Sequence, residues 1–280
     1  MSSLAKPVPI LPADTMQKWP KLAWSKHATQ LVSLAVCVLL WHLAASQHWR
    51  TGLVTFANVP QPLEVLAAAR DLLVSPKLLF HLRASLFRVL AGFGIAGLLG
   101  VAAGLLIGRF TWAQRSLLPP LEVLRPIPAV AWIPLSVLVF PSSEASMIFI
   151  TFVGAVFPIL LNTIHGVEGV DARLIASARS LGSGRLRVFA EVIVPAAAPA
   201  IVTGLSIGMG TCWFCLVTAE MISGQFGIGY YTWESYTLQN YANIIVGMLL
   251  IGGLGMGSSA LIRAAGNWLM PWYRRGAHHP

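Results

Sequence analysis

The stretch VLAGFGIAGLLGVAAGLLIG, Val89 to Gly108, runs for twenty residues without a charge. An α-helix rises about 1.5 Å per residue, so about 20 apolar residues are enough to cross a hydrocarbon core of about 30 Å. Working outward, five more uncharged runs appear: Leu31 to Ser46, Pro126 to Ser143, Ala145 to Val167, Val192 to Ala219, and Ser235 to Ile262, the last expected to span only from about Ile244. The runs are continuous and do not alternate with period two, which excludes a β-barrel. The expected fold class is an all-α polytopic membrane protein with about six transmembrane helices.

Composition agrees. Only 10% of the 280 residues are charged and 56% are hydrophobic, whereas soluble domains carry about 25% charged residues. A soluble enzyme, a disordered tail and a nucleic-acid binder are all excluded. The net charge of +9 is scattered between apolar runs and forms no patch or stripe. Cys37, Cys212 and Cys215 lie inside apolar runs and lack metal-ligand spacing, so neither a metal site nor a disulfide is expected.

Basic residues set the orientation, because positive segments stay cytoplasmic. Lys6, Lys18, Lys21 and Lys26, then Arg109 and Arg115, then Arg173, Arg179, Arg185 and Arg187, and finally Arg263, Arg274 and Arg275 fall on one side if both termini are inside. The first outer loop also holds Arg50, Arg70, Lys77, Arg83 and Arg88; the third and fifth loops hold no basic residue. The organisation that follows is a cytoplasmic tail over 1–29, a first span over 30–46, an outer segment over 47–88, a core over 89–262 with a cytoplasmic loop at 168–191, and a cytoplasmic tail over 263–280. Ala44-Ala45-Ser46 offers small residues for a signal peptidase, but about 30 mostly polar residues precede the first run, too many for an ordinary n-region. An uncleaved span is expected. Within the outer segment, Pro60-Gln61-Pro62 and the leucines after it suggest a short amphipathic helix on the interface.

Two catalytic-looking motifs are better read as packing. Gly92 to Gly97 satisfies G-x-G-x-x-G but opens a membrane span, and Gly100, Gly104 and Gly108 continue it at four-residue spacing. Small residues at that spacing let helix backbones approach closely in lipid. Gly204-Leu205-Ser206-Ile207-Gly208 satisfies G-x-S-x-G without the strained strand-to-helix turn that motif needs. An intramembrane protease with Ser206 as nucleophile and His165 or His42 as base remains an alternative. No Walker-type G-x-x-x-x-G-K-[ST] occurs, so any ATP that powers the chain binds another subunit.

Some residues point to a solute pathway. Arg125-Pro126-Ile127-Pro128 and Trp132-Ile133-Pro134 put three prolines into a stretch expected to cross the membrane, and broken helices at that depth face protein or a watery cavity. Glu122 and Arg125 are spaced to pair on a helix. Glu220 follows a 28-residue uncharged run, where an ionisable residue is costly and often functional. Trp213 and Thr218 are further candidates. Residues 223–234, rich in glycine and aromatics, read as an outer loop or gate.

The cytoplasmic loop reads as two short helices, 171–181 and 184–194, with Gly182 as a stop and Ser183 as a start. Here the sequence resembles the inner-membrane permeases of ATP-binding-cassette importers, whose mark is E-A-A, three residues, G, nine residues, I-x-L-P. Ala176-Ser177-Ala178 stands at E-A-A, Gly182 at the glycine, Val192 and Val194 at the aliphatic positions and Pro195 at the proline. The departures are Ala176 for glutamate and Ser177 for alanine. The stretch Arg125 to Leu135, RPIPAVAWIPL, and the pair Ala219-Glu220-Met221-Ile222 and Gly227 to Tyr230 are similar to the nitrate, sulfonate, taurine and bicarbonate branch.

The resemblance implies a type I importer transmembrane domain that works as a homodimer with two cytoplasmic ATPase subunits and a periplasmic or lipid-anchored binding protein. ATP and Mg would be bound by the ATPase; this chain would bind no cofactor, metal or nucleic acid, and its other partner would be membrane lipid. Residues 168–191 would be the coupling loop, with Ala176, Ser177, Ala178, Arg179, Gly182, Arg185 and Pro195 at the contact. Arg125, Pro126, Pro128, Trp132, Trp213, Thr218 and Glu220 would line the pathway of a small anion. A secondary transporter or channel is the other alternative, disfavoured because charges inside the spans are too few for an ion relay.

Overall fold

A computed structural model of the chain describes residues 26–272 except 51, 53, 224 and 225. The tail residues Lys6, Lys18, Lys21, Arg274 and Arg275 lie outside the described set. The chain divides into two units, the first ending at Ala57. In that unit α1 (Lys26–Ser46) is long and apolar enough to cross a membrane, and an isolated bridge between Arg50 and Thr55 closes the turn after it.

In the second unit, α2 (Pro62–Val74) is the expected short helix. Pro62 opens it, the Gln61 N–H donates to Glu64 Oε2 at 3.0 Å, and Val65 and Leu72 are buried. Next comes α3 (Pro76–Arg109), 34 residues long. It starts well before Val89, so residues 76–88, expected in the outer loop, are helical. The local reason is a strong start signal: the Ser75 side chain accepts from Lys77 N–H, and Pro76 gives up no hydrogen bond in the first turn.

The third apolar run does not form a continuous span. Residues 111–124, expected as a cytoplasmic loop, form α4 (Thr111–Leu124). A 3-10 turn (Ala129–Trp132) and the seven-residue α5 (Ile133–Val139) follow. The two pieces, 111–124 and 129–139, are bent by 85°. Pro126 and Pro128 lie in the break and Pro134 in the first turn of α5, where missing N–H groups end one helix and are tolerated by the next. Glu122 and Arg125 do not pair; among the described residues no ion pair joins them.

Next comes α6 (Ser143–Glu168), capped by Ser142, whose Oγ accepts from Ala145 N–H at 3.2 Å. After the 168–191 segment, α9 (Val194–Ser223), α10 (Ile228–Thr237) and α11 (Tyr241–Leu269) complete the chain. The expected outer loop at 223–234 is therefore largely the helix α10, and α11 runs seven residues past Ile262. Among the described residues, five helices are long and apolar enough to cross a membrane (α1, α3, α6, a segment through α9, and α11), or six if the bent pair is one span.

Glycines set the helix packing. A Cβ on Gly92, Gly100, Gly104 or Gly108 of α3 would run into Thr151, Ile159, Thr163 or Val167 of α6 respectively, each 59 residues further on. A constant offset means the helices run parallel. At Gly104 the added carbon would lie 2.6 Å from Thr163 Cβ. On an adjoining face of α6, α9 runs antiparallel: Gly204 meets Asn162, Gly208 meets Ile159, and Gly154 of α6 meets Cys215. Val89, Ile150, Trp213 and Leu216 join the three helices in one buried cluster.

Candidate functional site

The segment between α6 and α9 is built to stand out from the bundle. Asp171 caps α7 (Ala172–Ser180) by accepting from Arg173 N–H at 2.8 Å. Gly182, at φ +81°, ends it: its N–H donates to Arg179 O at 2.9 Å and Ser183 N–H donates to Ala178 O at 3.1 Å. This paired closure is a Schellman stop, which needs a left-handed residue at that position. The second helix, α8 (Arg185–Val188), starts at Gly184 without a side-chain cap, not at Ser183 as expected. It passes through a π-turn (Phe189–Ile193) directly into α9, two residues before Pro195.

Ile175 and Ala178 anchor the inner side of α7 to Val167, Val188, Ile193 and Ala197. Ala176, Ser177, Arg179, Gly182 and Arg185 are exposed, and Pro195 is half-buried at the start of α9. Leu181 is 86% exposed and Leu186 83%. Arg187 and Glu191 pair at 3.2 Å on the surface. Of the residues expected at the contact, Ala176, Ser177, Arg179, Gly182 and Arg185 thus lie exposed on one capped hairpin, whereas Ala178 faces inward and Pro195 belongs to α9.

The pathway candidates do not gather in one place. Arg125, Pro126 and Pro128 are exposed at the break after α4. Trp132 is half-buried against the α3, α6 and α9 core, and its Nε1 is enclosed without a hydrogen-bond partner. Thr218 is half-buried on α9 and donates to Phe214 O at 3.1 Å. Trp213 and Glu220, also expected along the pathway, are both interior in the bundle. Trp213 faces α11 and donates Nε1–H to Ser258 Oγ at 3.0 Å.

Glu220 sits at the centre of a buried charge cluster. It accepts from Arg88 Nη1 and from Ser85 Oγ, each at 2.8 Å, and from Gly229 N–H at 2.9 Å. Arg88 also donates Nε–H to Glu144 at 2.8 Å, a second bond to the same carboxylate through Nη2, and one to Phe226 O. The first N–H groups of α10 have no cap of their own. Gly227 N–H donates to His81 Nδ1 at 3.1 Å, Ile228 N–H to Ser85 Oγ at 2.9 Å, and Gly229 N–H to Glu220. The orphan donors of a helix start are satisfied by side chains of α3 and α9, and the Glu220 charge suits the positive end of α10. Removing one partner of such a buried pair costs about 3–5 kcal/mol.

Reading the sequence placed Arg88 and Ser85 in a loop and missed them. The signal was present: His81, Ser85, Arg88 and Gly92 follow at helical spacing and lead into the glycine stripe of the same face.

The protease alternative is overturned by the surroundings of Ser206. Its Oγ accepts from Arg263 Nη1 at 2.7 Å and donates to Ser259 O at 3.3 Å. Neither neighbour is a general base, and among the described residues no hydrogen bond links Ser206 to His165 or His42. Gly204 and Gly208 serve helix contact.

A bundle of close-packed apolar helices, one span sharply broken and a capped hairpin exposed between two others, defines the core of a polytopic permease. The chain belongs to the family of binding-protein-dependent transport system inner membrane components, matched over residues 73–275, and is a multi-pass inner-membrane permease of the ABC importer class. It is 37% identical over 242 residues to a putative ABC transporter permease of Methanocaldococcus jannaschii, covering 83% of this chain and 87% of that protein. It is 33% identical over 234 residues to a nitrate import permease of a Synechocystis species (80% and 82% covered). Over 263 residues it is 30% identical to a putative aliphatic sulfonates transport permease of Bacillus subtilis (93% of both chains).

Proposed function

We propose that the chain forms, with a second copy of itself, the translocation pathway of an importer for a small oxyanion of the nitrate or sulfonate kind. An external binding protein delivers the solute. Two cytoplasmic ATPase subunits bind ATP and Mg and drive the change between inward-open and outward-open forms, while this chain carries no ATP-binding motif and hydrolyses nothing. The observation that carries the reading is the 168–191 hairpin: it presents exposed leucines and arginines and is continuous with α9. Ile175 and Ala178 tie it to the bundle, so a push on α7 is delivered to α6 and α9 as a unit. Two states follow if the ATPase binds them with different affinity. Arginines 179 and 185 are placed to meet acidic groups of that partner. The substrate class is supported by the relatives' names.

The test is vanadate-sensitive ATPase activity of the membrane complex purified through this subunit, wild type against Gly182→Trp. An ATPase that accompanies the wild type and is lost or uncoupled in the variant is the expected result. A chain that purifies without any ATPase, and transports regardless of ATP, overturns the reading in favour of a secondary transporter.

A further inference from the structure

A cavity of about 670 Å³ opens between α6, α9 and α11 at the end of the bundle that carries the α7–α8 hairpin. His165, Thr203, Ser206, Arg263 and Asn267 supply its polar wall. The small residues Gly166, Ala196 and Ala200 keep the rest of the wall low. A Cβ on Gly166 would already touch Ala200 at 2.8 Å.

Arg263 is the unusual feature. It lies inside the span-forming helix α11, six residues before its end. An arginine there would ordinarily extend its head toward the interface. Here Nη1 turns sideways to Ser206 Oγ on α9, at 2.7 Å. Ser206 is 7% exposed and is itself tied to α11: its Oγ donates to Ser259 O, and Ser259 Oγ donates to Ser206 O at 3.2 Å. One corner of the guanidinium is therefore fixed between two helices. A guanidinium carries five N–H donors, and among the described residues no carboxylate pairs with this one. Arg263 is exposed on α11 near its cytoplasmic end, and a cation that faces a polar cavity with no carboxylate beside it among the described residues is open to an anion. The cation calls for an anion, and its planar donors suit a planar or tetrahedral oxyanion. The volume leaves room for the anion and several waters of about 30 Å³ each.

We propose that this cavity is a binding site for a small monovalent oxyanion, with Arg263 as its charge partner and Ser206 holding the guanidinium in place. The proposal rests on the permease reading and adds to it a place where the anion pauses at the inner end of the bundle.

The experiment is calorimetric titration of sodium nitrate into the nucleotide-free complex in phosphatidylcholine nanodiscs, without binding protein. Saturable binding is expected for wild type and for Arg109→Gln, an arginine at the same end of the bundle but outside the cavity. Arg263→Gln should weaken it about tenfold or more, the loss of a charge-assisted contact, and Arg263→Lys by less. Nitrate binding that is absent in wild type, or equal in Arg263→Gln, overturns the site. The same titration in discs containing phosphatidylglycerol separates a free anion from a lipid headgroup: unchanged binding is expected, and its loss there assigns the cavity to lipid and overturns the proposal. ATP-driven uptake by the complete importer, measured on the same preparations, keeps the two readings apart. Uptake with unaltered nitrate binding in Arg263→Gln sinks the site alone, while no ATP-driven uptake in wild type sinks the permease reading.

Discussion

Arg88 on α3 and Glu220 on α9, 132 residues apart, meet at 2.8 Å where their side chains are 1% and 0% exposed. A charge pair so enclosed is held by its surroundings as much as by its own attraction, since desolvation offsets most of the Coulomb gain. The surroundings here are the start of α10, the hydroxyl of Ser85 and the half-exposed Glu144. The cluster joins four helices at the end of the bundle opposite the α7–α8 hairpin.

Arg88→Ala is expected to destabilise the folded protein by about 3–5 kcal/mol, because Glu220 is left buried without its cation. The double variant Arg88→Met, Glu220→Met should recover a large part of that loss. Thermal unfolding of the purified subunit followed by tryptophan fluorescence checks both. A single variant as stable as wild type would refute the structural role of the pair.

Gly227→Ala should detach the start of α10. The residue stands at φ +150° and a Cβ would overlap the Glu220 carboxylate, so the N–H bonds of Gly227, Ile228 and Gly229 cannot all form. Limited proteolysis from the outer side is expected to cut within α10 faster in the variant than in the wild type. Equal cutting of the two would count against the cluster as the fastening of α10.

The glycine stripe separates tolerant from intolerant positions on one helix. Gly104→Val forces carbon against Thr163 and against the Leu160 carbonyl, whereas a Cβ at Gly94 meets nothing within 4 Å. Membrane-inserted yield and melting temperature should fall for Gly104→Val, with a loss of about 1–3 kcal/mol as in overpacked cores, and stay level for Gly94→Ala. Similar behaviour of the two variants would sink the close contact of α3 and α6.

Leu181→Asp and Leu186→Asp test the hairpin as a docking face. Both side chains are exposed in the single chain, so the fold should keep its melting temperature. If they are buried against the ATPase, each charge costs about 2 kcal/mol at a contact of that kind, about thirtyfold in affinity, and co-purification of the ATPase should drop. Retention of the ATPase at wild-type level by both variants would place the contact elsewhere.

The apolar runs, the proline break and the Gly182 stop were legible because each rests on local chemistry. The start of α3 was not, since Arg83 and Arg88 drew attention as outer-loop charges while Ser75-Pro76 carried the start signal. Residues 111–124 looked like a loop because Arg109 and Arg115 marked the stretch as cytoplasmic between two uncharged runs, yet Ala113 is fully buried in a cluster with Ile107, Leu160 and Ile164. The interior position of Trp213, and Arg88 as the partner of Glu220, depend on helices that meet only in the folded bundle, and no spacing along one chain reports that.

The ladder of Gly92, Gly100, Gly104 and Gly108 against α6 repeats every four or eight residues, and a pattern of that kind nearly matches itself after a slide of one turn. Packing alone is therefore a poor judge of which rung faces which. The bonds from Arg88 to Glu144, at the end of the ladder, have no such periodicity. They act as an index mark: a bundle assembled one turn out would leave a guanidinium and a carboxylate stranded on separate helices. The chain can thus use repetitive, interchangeable contacts for closeness and still arrive at a single alignment.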